Sequence, residues 1–399
     1  MEDTIESPPA TDGPNRILIV HNSYLQRGGE DVVVESEAEL LQNHGHQVRL
    51  YARSNAEIVH SSKPAVFAST IWSIRSLRDI GRIITTFAPN VIHVHNTFPL
   101  ISPSAFWAGA RAGIPVVMTV HNFRLFCLSA TFLRDAKVCQ DCLGHLPWRG
   151  VGHRCYHHSV IQSATVAAML TAHRAVGTWR KTVARFIVLN EFSRRVLVAG
   201  GVPRERIAIK PNFADAPPLV EGVRRGGLFV GRLSVEKGCS VLAQAAARLD
   251  GVVIDVIGAG PEEVVLAASK VLRLHGAQAG RDVRAAMLEA AYVVVPSICD
   301  EVFPLVVVEA FASGAPVIAS RLGGLAELVE DGRTGLLFTP GDAGHLAEKI
   351  AWAESNPAAM RAMGRAARRE YEMRFSSRQN YDALMRVYVE ATTVGRELY

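Results

Sequence analysis

The chain has 399 residues, 49% of them apolar and 20% charged, with a formal net charge of +5 and six cysteines. That composition excludes a disordered or collagen-like chain, and no apolar run reaches the roughly 18 residues that a membrane-spanning helix needs. At about 150 residues per domain the length predicts two or three domains, and the few, clustered cysteines predict no disulfide framework.

The first fourteen residues are acidic and contain prolines, and they lack the positive start and apolar middle of a secretory signal. They read as a short disordered tail on a cytoplasmic protein. The run RILIV at 16–20 is a buried parallel-strand pattern, followed by Gly28 and Gly29 and a helical segment ending near Gly45. QVRLYA, VIHVHN, PVVMTVH and FIVL, at 47–52, 91–96, 115–121 and 186–189, continue as apolar strands with helically spaced segments between them. Such alternation predicts a parallel sheet covered by helices.

A break follows, with prolines at 211, 217 and 218 and glycines at 222, 226 and 227. The pattern then restarts: GLFVGRL, VVIDVIGAG, VLRLHG, YVVVPS, PVIAS and GLLF read as strands, and the segments after Glu236, Pro261, Arg281, Val306, Gly324 and Asp342 as helices. Beyond Gly341 come three helical segments, the last from about Ser376. The fold class is therefore α/β. The expected organisation is a tail at 1–14, a first domain at 15–210 with a cysteine-rich loop at 127–155, a linker at 211–226, a second domain at 227–375 and a final helix at 376–399.

The charge is unevenly placed. Residues 46–210 hold 21 basic and 6 acidic side chains, a field that attracts nucleic acid, an anionic membrane or a phosphorylated substrate. Arg75, Arg78 and Arg82 recur at helical spacing near Trp72, with Ile74, Leu77, Ile80 and Ile84 on other faces. His173, Arg174, Trp179, Arg180, Lys181 and Arg185 form a second cluster. Each reads either as a solvated helix face or as a docking face for an anionic leaflet. Without a recognised binding module or aromatic-basic repeat, nucleic acid is not expected.

Glycines follow apolar strands in both halves: Gly28 and Gly29, Gly231, then Gly258 and Gly260. Such glycines let backbone N–H groups at a helix start approach a phosphate, or simply make a tight turn. Glu263 stands where a dinucleotide fingerprint needs its third glycine, which weakens an oxidoreductase reading. Arg232 and Lys237 lie five residues apart on the loop after the second domain's first strand, a spacing that could clamp a diphosphate. Glu301 precedes Phe303, Pro304 and Leu305, and Glu309 sits on the helix beyond; carboxylates accept well from vicinal hydroxyls, so the pair suits a sugar at one end and a ribose at the other. His121 ends a strand and reads equally as a core histidine or a site residue; His21, His93 and His95 read as hydrogen-bonded core residues. Cys127, Cys139, Cys142 and Cys155 have eleven, two and twelve residues between neighbours, which fits a tetrahedral structural zinc site or four free thiols in a loop. Cys239 and Cys299 read as small buried residues.

Taken together, GRLSVEKG, VIGAGP, EVFPLVVVEAFASGAPVIAS and GGLAELVEDGRTGLLF resemble, in order and spacing, the donor domain of glycosyltransferase family 4. RGGEDVVVESEAELLQNHGHQV, VIHVHNTFP and TVHNFRLFC resemble the acceptor domain of the same group. The resemblance implies a GT-B fold, with two Rossmann-like domains whose parallel sheets face a central cleft and final helices that cross back onto the first domain. It implies retaining transfer of a sugar from a nucleotide donor without an obligatory metal. It places Arg232 and Lys237 on the donor diphosphate, Glu309 on the ribose, Glu301 beside the transferred sugar, and the backbone of Val302, Phe303, Pro304 and Leu305 against sugar and phosphate. Gly28 and Gly29 would face the diphosphate across the cleft, beside Gly231, and His121 would lie at the reacting centre. Backbone near His275 and Gly276 would read the base.

The expected function is transfer of a sugar to a saccharide or polyprenyl-diphosphate-linked acceptor in polysaccharide or glycolipid synthesis, at the inner face of the plasma membrane. No cofactor is expected for catalysis, and zinc only in a structural role. Two rivals are a nucleotide-sugar epimerase of the same fold and a catalytically inactive, zinc-stabilised interaction module. The intact set of Arg232, Lys237, Glu301 and Glu309 speaks against the second.

Overall fold

The computed structural model describes residues 14–25, 27–219 and 222–398, so the expected tail lies outside the described residues except for Pro14. The first half contains β1 (Arg16–Ser23), β2 (Gln47–Ser54), β3 (Val91–Asn96), β4 (Val116–Thr119), a two-residue hairpin of β5 (Leu133–Arg134) and β6 (Lys137–Val138), β7 (Arg185–Val188) and β8 (Ile207–Ile209). The second contains β9 (Gly227–Val230), β10 (Ile254–Ile257), β11 (Leu272–Leu274), β12 (Tyr292–Val295), β13 (Val317–Ser320) and β14 (Gly335–Phe338).

Two six-stranded sheets result, ordered β2-β1-β3-β4-β7-β8 and β11-β10-β9-β12-β13-β14. Every pair within them is parallel. The central strands are buried on both faces, as their Val- and Ile-rich sequences suit. One expectation changes: the 47–52 run is an edge strand with Gln47, Arg49 and Leu50 exposed, because nothing pairs beyond it in the sheet.

In the first sheet the order reverses between β1 and β3, and in the second between β9 and β12. In open α/β sheets the crevice beyond the carboxyl ends of the strands at such a switch is where ligands bind. The carboxyl ends of β1 and β9 lead to Gly28 and Gly231 respectively. The two halves meet at these ends. Asn190, just after β7, donates from Nδ2 to the Val302 carbonyl at 2.5 Å, and Val302 itself belongs to the first half's apolar core. Gly324 sits where any Cβ would come within 2.7 Å of both the Glu301 and the Val302 carbonyl oxygens, so the junction demands glycine there.

The last helix, Ser377–Leu398, returns to the first sheet. Its Leu384, Val387, Tyr388 and Ala391 pack with Ile17, Ile19, Val91 and Val117 in one buried cluster. That return joins the chain's end to its beginning.

Candidate active site

On the second half's side of the cleft, the loop after β9 carries Gly231, Arg232 and Lys237. Gly231 meets only ordinary contact from the Phe229 ring, so the protein's own packing does not require glycine at this position. The opposite holds at Gly258, with φ +154, whose added Cβ would lie 1.8 Å from the Gly231 carbonyl oxygen, and at Gly238, with φ +74, whose Cβ would meet the Pro296 carbonyl at 1.9 Å. These two glycines let the β9, β10 and β12 loops close on one another.

Lys237 donates from Nζ to Glu301 Oε2 at 2.8 Å, and Glu301 Oε1 accepts from the Ser297 hydroxyl. Burial alone would lower the Lys237 pKa, but the Glu301 carboxylate more than offsets it and the ammonium is held charged. Arg232 is exposed and reaches Glu236 at 3.1 Å, leaving most of its guanidinium available to the cleft. Glu309 lies on the helix Leu305–Ala312, and its carboxylate accepts no hydrogen bond among the described residues and is pushed above the usual range by burial, opposed only by Arg284. His275 and Gly276 stand just past β11, with His275 Nε2 2.7 Å from Asp255 Oδ1 and Gly276 in a left-handed turn with open space around it.

From the first half, Gly28 and Gly29 begin the helix Gly29–Asn43. Asp31 in its first turn accepts the Gly28 N–H at 2.8 Å, a favourable place for an acid at a helix start. A Cβ on Gly29 would sit 3.5 Å from Leu305 Cδ1, which places the two loops face to face across the cleft. Next to Gly29, Glu30 accepts from Tyr24 at 2.9 Å and from Asn122 at 3.4 Å through Oε2, while its buried Oε1 has no partner. Burial, with Asp31 beside it, raises the Glu30 carboxyl to about 8 against the pull of Tyr24, Asn122 and Arg124.

His121 follows β4, and its Nε2 lies 2.9 Å from His95 Nδ1 with the rings stacked at 5.1 Å. His95 Nε2 in turn stands 3.3 Å from Glu37 Oε1, and His93 Nδ1 2.9 Å from the same oxygen. Lys210 Nζ ion-pairs with Glu37 Oε2 at 2.8 Å, both side chains being only 1% exposed. Although burial would raise Glu37, Lys210 and the two imidazoles hold it well below the usual range. Burial and the neighbouring His93 lower His95 to about 3, and burial with His95 beside it lowers His121 well below 6.5, so both rings are neutral at pH 7. A carboxylate favours an N–H on the His95 nitrogen nearest to it. His95 Nδ1 then accepts from His121 Nε2–H, and His121 Nδ1 is left as an acceptor. Glu37, His93 and His95 are close enough to hold a metal, with all three ligand atoms within 4.8 Å. The Lys210 ammonium already supplies the positive charge there, and the Tyr388 hydroxyl shares His93 Nδ1 at 2.8 Å.

The structure thus brings Gly28, Gly29 and His121 to the cleft from one side and Gly231, Arg232, Lys237, Glu301, Val302, Phe303, Pro304, Leu305 and Glu309 from the other. Glu30, Asn122, Asn190 and Ser297 were not singled out by sequence. Only Glu30, directly after the glycine pair, carried a local signal. The second basic cluster is corrected: His173 is buried, bonded to Thr178 and the Ile71 carbonyl, and Arg174 donates inward to the His145 and Leu125 carbonyls. Those two groups are turned inward, whereas Arg180 and Lys181 of the same cluster stay exposed. Arg75 and Arg82 remain exposed beside Asp79. Cys239 and Cys299 are buried, as expected. A cavity of about 940 Å³ lies at the amino ends of β9, β12 and β13, lined by Arg225, Tyr292, Arg361 and Arg365 among others. It is on the opposite edge of the sheet from Glu301, so volume alone does not locate the chemistry.

Residues 27–216 match the family model described as Glycosyltransferase Family 4, and residues 224–370 match Glycosyl transferases group 1. The chain is 29% identical to a D-inositol 3-phosphate glycosyltransferase of Mycobacterium avium, covering 94% of this chain and 93% of that protein. It is 28% identical to a phosphatidyl-myo-inositol mannosyltransferase of Mycobacterium leprae, covering 96% and 98%. Among solved structures, sucrose-phosphate synthase of Thermosynechococcus elongatus superposes with a TM-score of 0.68 at 18% identity over 96% of this chain and 99% of that one. Anabaena HepE in complex with UDP-glucose gives 0.62 at 18% identity over 92% and 98%.

Proposed function

We propose, for a chain that belongs to glycosyltransferase family 4 and is a nucleotide-sugar-dependent glycosyltransferase of GT-B fold, that its cleft transfers the sugar with retention of configuration to a saccharide or polyprenyl-diphosphate-linked acceptor. The observation that carries this reading is the opposition of two sets of groups. Lys237, Arg232, Glu301 and Glu309 stand on one wall, and Gly29, Glu30 and His121 on the other.

As the C1–O bond to the diphosphate breaks, negative charge grows on the leaving oxygens and positive character on the sugar ring. Lys237 and Arg232 stabilise the first. Lys237 is held by Glu301 before a donor binds, so the diphosphate shares an ammonium that is already in place and needs little reorganisation. Glu301 offers its carboxylate to the sugar hydroxyls. Glu309, without a protein partner, takes the ribose hydroxyls, whose hydrogen bonds repay its burial.

His121 Nδ1 accepts from a sugar hydroxyl on the other face. Glu30, neutral below about pH 8, holds Asn122 and Tyr24 in place on the acceptor side of the cleft. A protonated carboxyl is a poor nucleophile, which supports same-face displacement: the acceptor oxygen bonds to C1, and its proton passes to the departing diphosphate. Arg75, Arg78 and Arg82 are the residues for docking at an anionic membrane; no described helix is long and apolar enough to cross one.

The test is a thermal-shift panel of UDP, GDP and ADP with their sugar conjugates on the wild type and on Glu309→Ala. At 100 times its dissociation constant a donor adds about 2.7 kcal/mol. A shift with one nucleotide class that weakens in the variant supports the assignment. No shift with any nucleotide overturns it, and turnover of the donor sugar to its epimer without acceptor favours the epimerase.

A further inference from the structure

Between the end of β4 and the helix Val160–Ala175, some forty residues contain only the β5–β6 hairpin and the single-turn helix Arg149–Gly152. Loops this long without regular structure are uncommon in compact domains. Seven of the nine described non-glycine residues with positive φ lie here, between Ala130 and His158. Backbone of that kind persists only where its surroundings over-determine it. The cysteines in this loop are all part-buried and unpaired. Cys127, Cys139, Cys142 and Cys155 line one cavity of about 20 Å³, bordered by Arg134 and Arg149, with room for about one water-sized body.

The chain positions these cysteines from separate points. Cys127 N–H donates to the Phe123 carbonyl at 2.9 Å, Cys139 N–H to Phe132 at 2.6 Å and Cys155 N–H to Gly150 at 2.9 Å. The wall is tight: a Cβ on Gly150 would stand 2.7 Å from Leu128 Cδ1 and 3.6 Å from Cys155 Sγ. Packing alone gives no reason for four thiols to line one small cavity. Four soft sulfur donors in a Cys-x-x-Cys plus two flanking cysteines suit Zn²⁺, and not the oxygen-seeking Mg²⁺ or Ca²⁺.

We propose that Cys127, Cys139, Cys142 and Cys155 form a tetrathiolate site for one Zn²⁺ that cross-links the loop running on from His121. Binding forms four Zn–S bonds and releases four thiol protons to solvent, with no change of oxidation state. The sulfurs are set more widely than the Glu37, His93 and His95 ligand atoms, so rotation about their Cα–Cβ bonds draws them in around the ion. Arg134 and Arg149 border a centre that then carries two net negative charges. The bound ion fixes the wall that carries Asn122 and Arg124 beside Glu30, and this role is independent of which sugar is transferred.

The test uses the full chain, expressed with added zinc and purified without chelator. Elemental analysis is expected to give one zinc per chain, falling to a small fraction in Cys142→Ser/Cys155→Ser. Since that variant could misfold, the wild type is also loaded with Co²⁺, where thiolate-to-cobalt charge-transfer and intense d–d bands identify a tetrahedral four-sulfur site. Zinc removal should make four additional thiols reactive and open residues 127–158 to protease. Metal-free wild type with these four thiols already reactive overturns the proposal, as does zinc retained in the double variant. Recovery of iron overturns the identity of the metal, and a mass showing disulfides overturns the site.

Discussion

Glu30 gives the sharpest handle on the first-domain wall of the cleft. Its carboxyl rises from 4.5 to about 8, chiefly through burial. The folded state therefore holds a proton between those values that the unfolded state has lost. Stability contributed by Glu30 is fully present below about pH 4.5 and is lost as pH rises through about 8. At about 1.36 kcal/mol per unit the whole shift would be worth about 5 kcal/mol, and partial solvent access reduces this to about 2–4 kcal/mol. Glu30→Gln mimics the neutral acid and keeps acceptors for Tyr24 and Asn122. Its unfolding free energy is expected to match the wild type at pH 5 to within about 1 kcal/mol and to exceed it by about 2–4 kcal/mol at pH 9, or about 2–5 °C in Tm. Acceptor-dependent turnover of the variant at pH 7 should stay within about threefold of wild type and hold up at pH 9, where the wild type falls. The assay is urea unfolding at several pH values beside initial rates with saturating donor. Parallel stability profiles for the two proteins would refute the burial argument, and loss of turnover in Glu30→Gln at pH 7 would show that the ionised form is the working one.

Lys237→Ala should lower kcat by about 10²–10³ with a smaller change in donor KM, since the ammonium matters most as diphosphate charge develops; steady-state kinetics check this, and unchanged kcat removes the assignment. Glu309→Ala should weaken donor affinity by about 1.5–3 kcal/mol without moving acceptor KM, read by calorimetry. Lys210→Met leaves Glu37 buried without its cation and is expected to cost about 3–5 kcal/mol of stability, whereas Lys210→Met with Glu37→Gln should recover most of that loss in denaturant unfolding. Asn190→Ala removes both a helix cap to Ser193 and the bond to Val302, so about 1–2 kcal/mol should be lost from stability, with donor KM rising as the halves loosen.

Much of the fold was legible because its signals are local. Runs such as VIHVHN and YVVVPS can be buried only as strands covered on both faces, and the glycines after them mark the turns. Arg232 with Lys237, and Glu301 with Glu309, were legible in two short stretches, each after an apolar strand, and only the fold shows that the two stretches meet, through Lys237 and Glu301. Charge counts do not reveal direction: in the cluster around His173, His173 faces a buried hydroxyl and a carbonyl and Arg174 caps loop carbonyls, while Arg180 and Lys181 stay exposed.

The sequence by itself determined two parallel α/β halves and the polar groups at the carboxyl ends of their strands, since strand period, glycine position and helix start are properties of neighbouring residues. Only the tertiary structure decided which groups face one another. Glu37 meets Lys210 across 173 positions of chain, Asn190 meets Val302 across 112, and Tyr388 returns from the last helix to His93. The first of them keeps Glu37 charged despite its burial, and burial keeps His95 and His121 neutral. Buried counter-charge and desolvation both depend on what surrounds a side chain in space and leave no trace in the residues beside it in the chain.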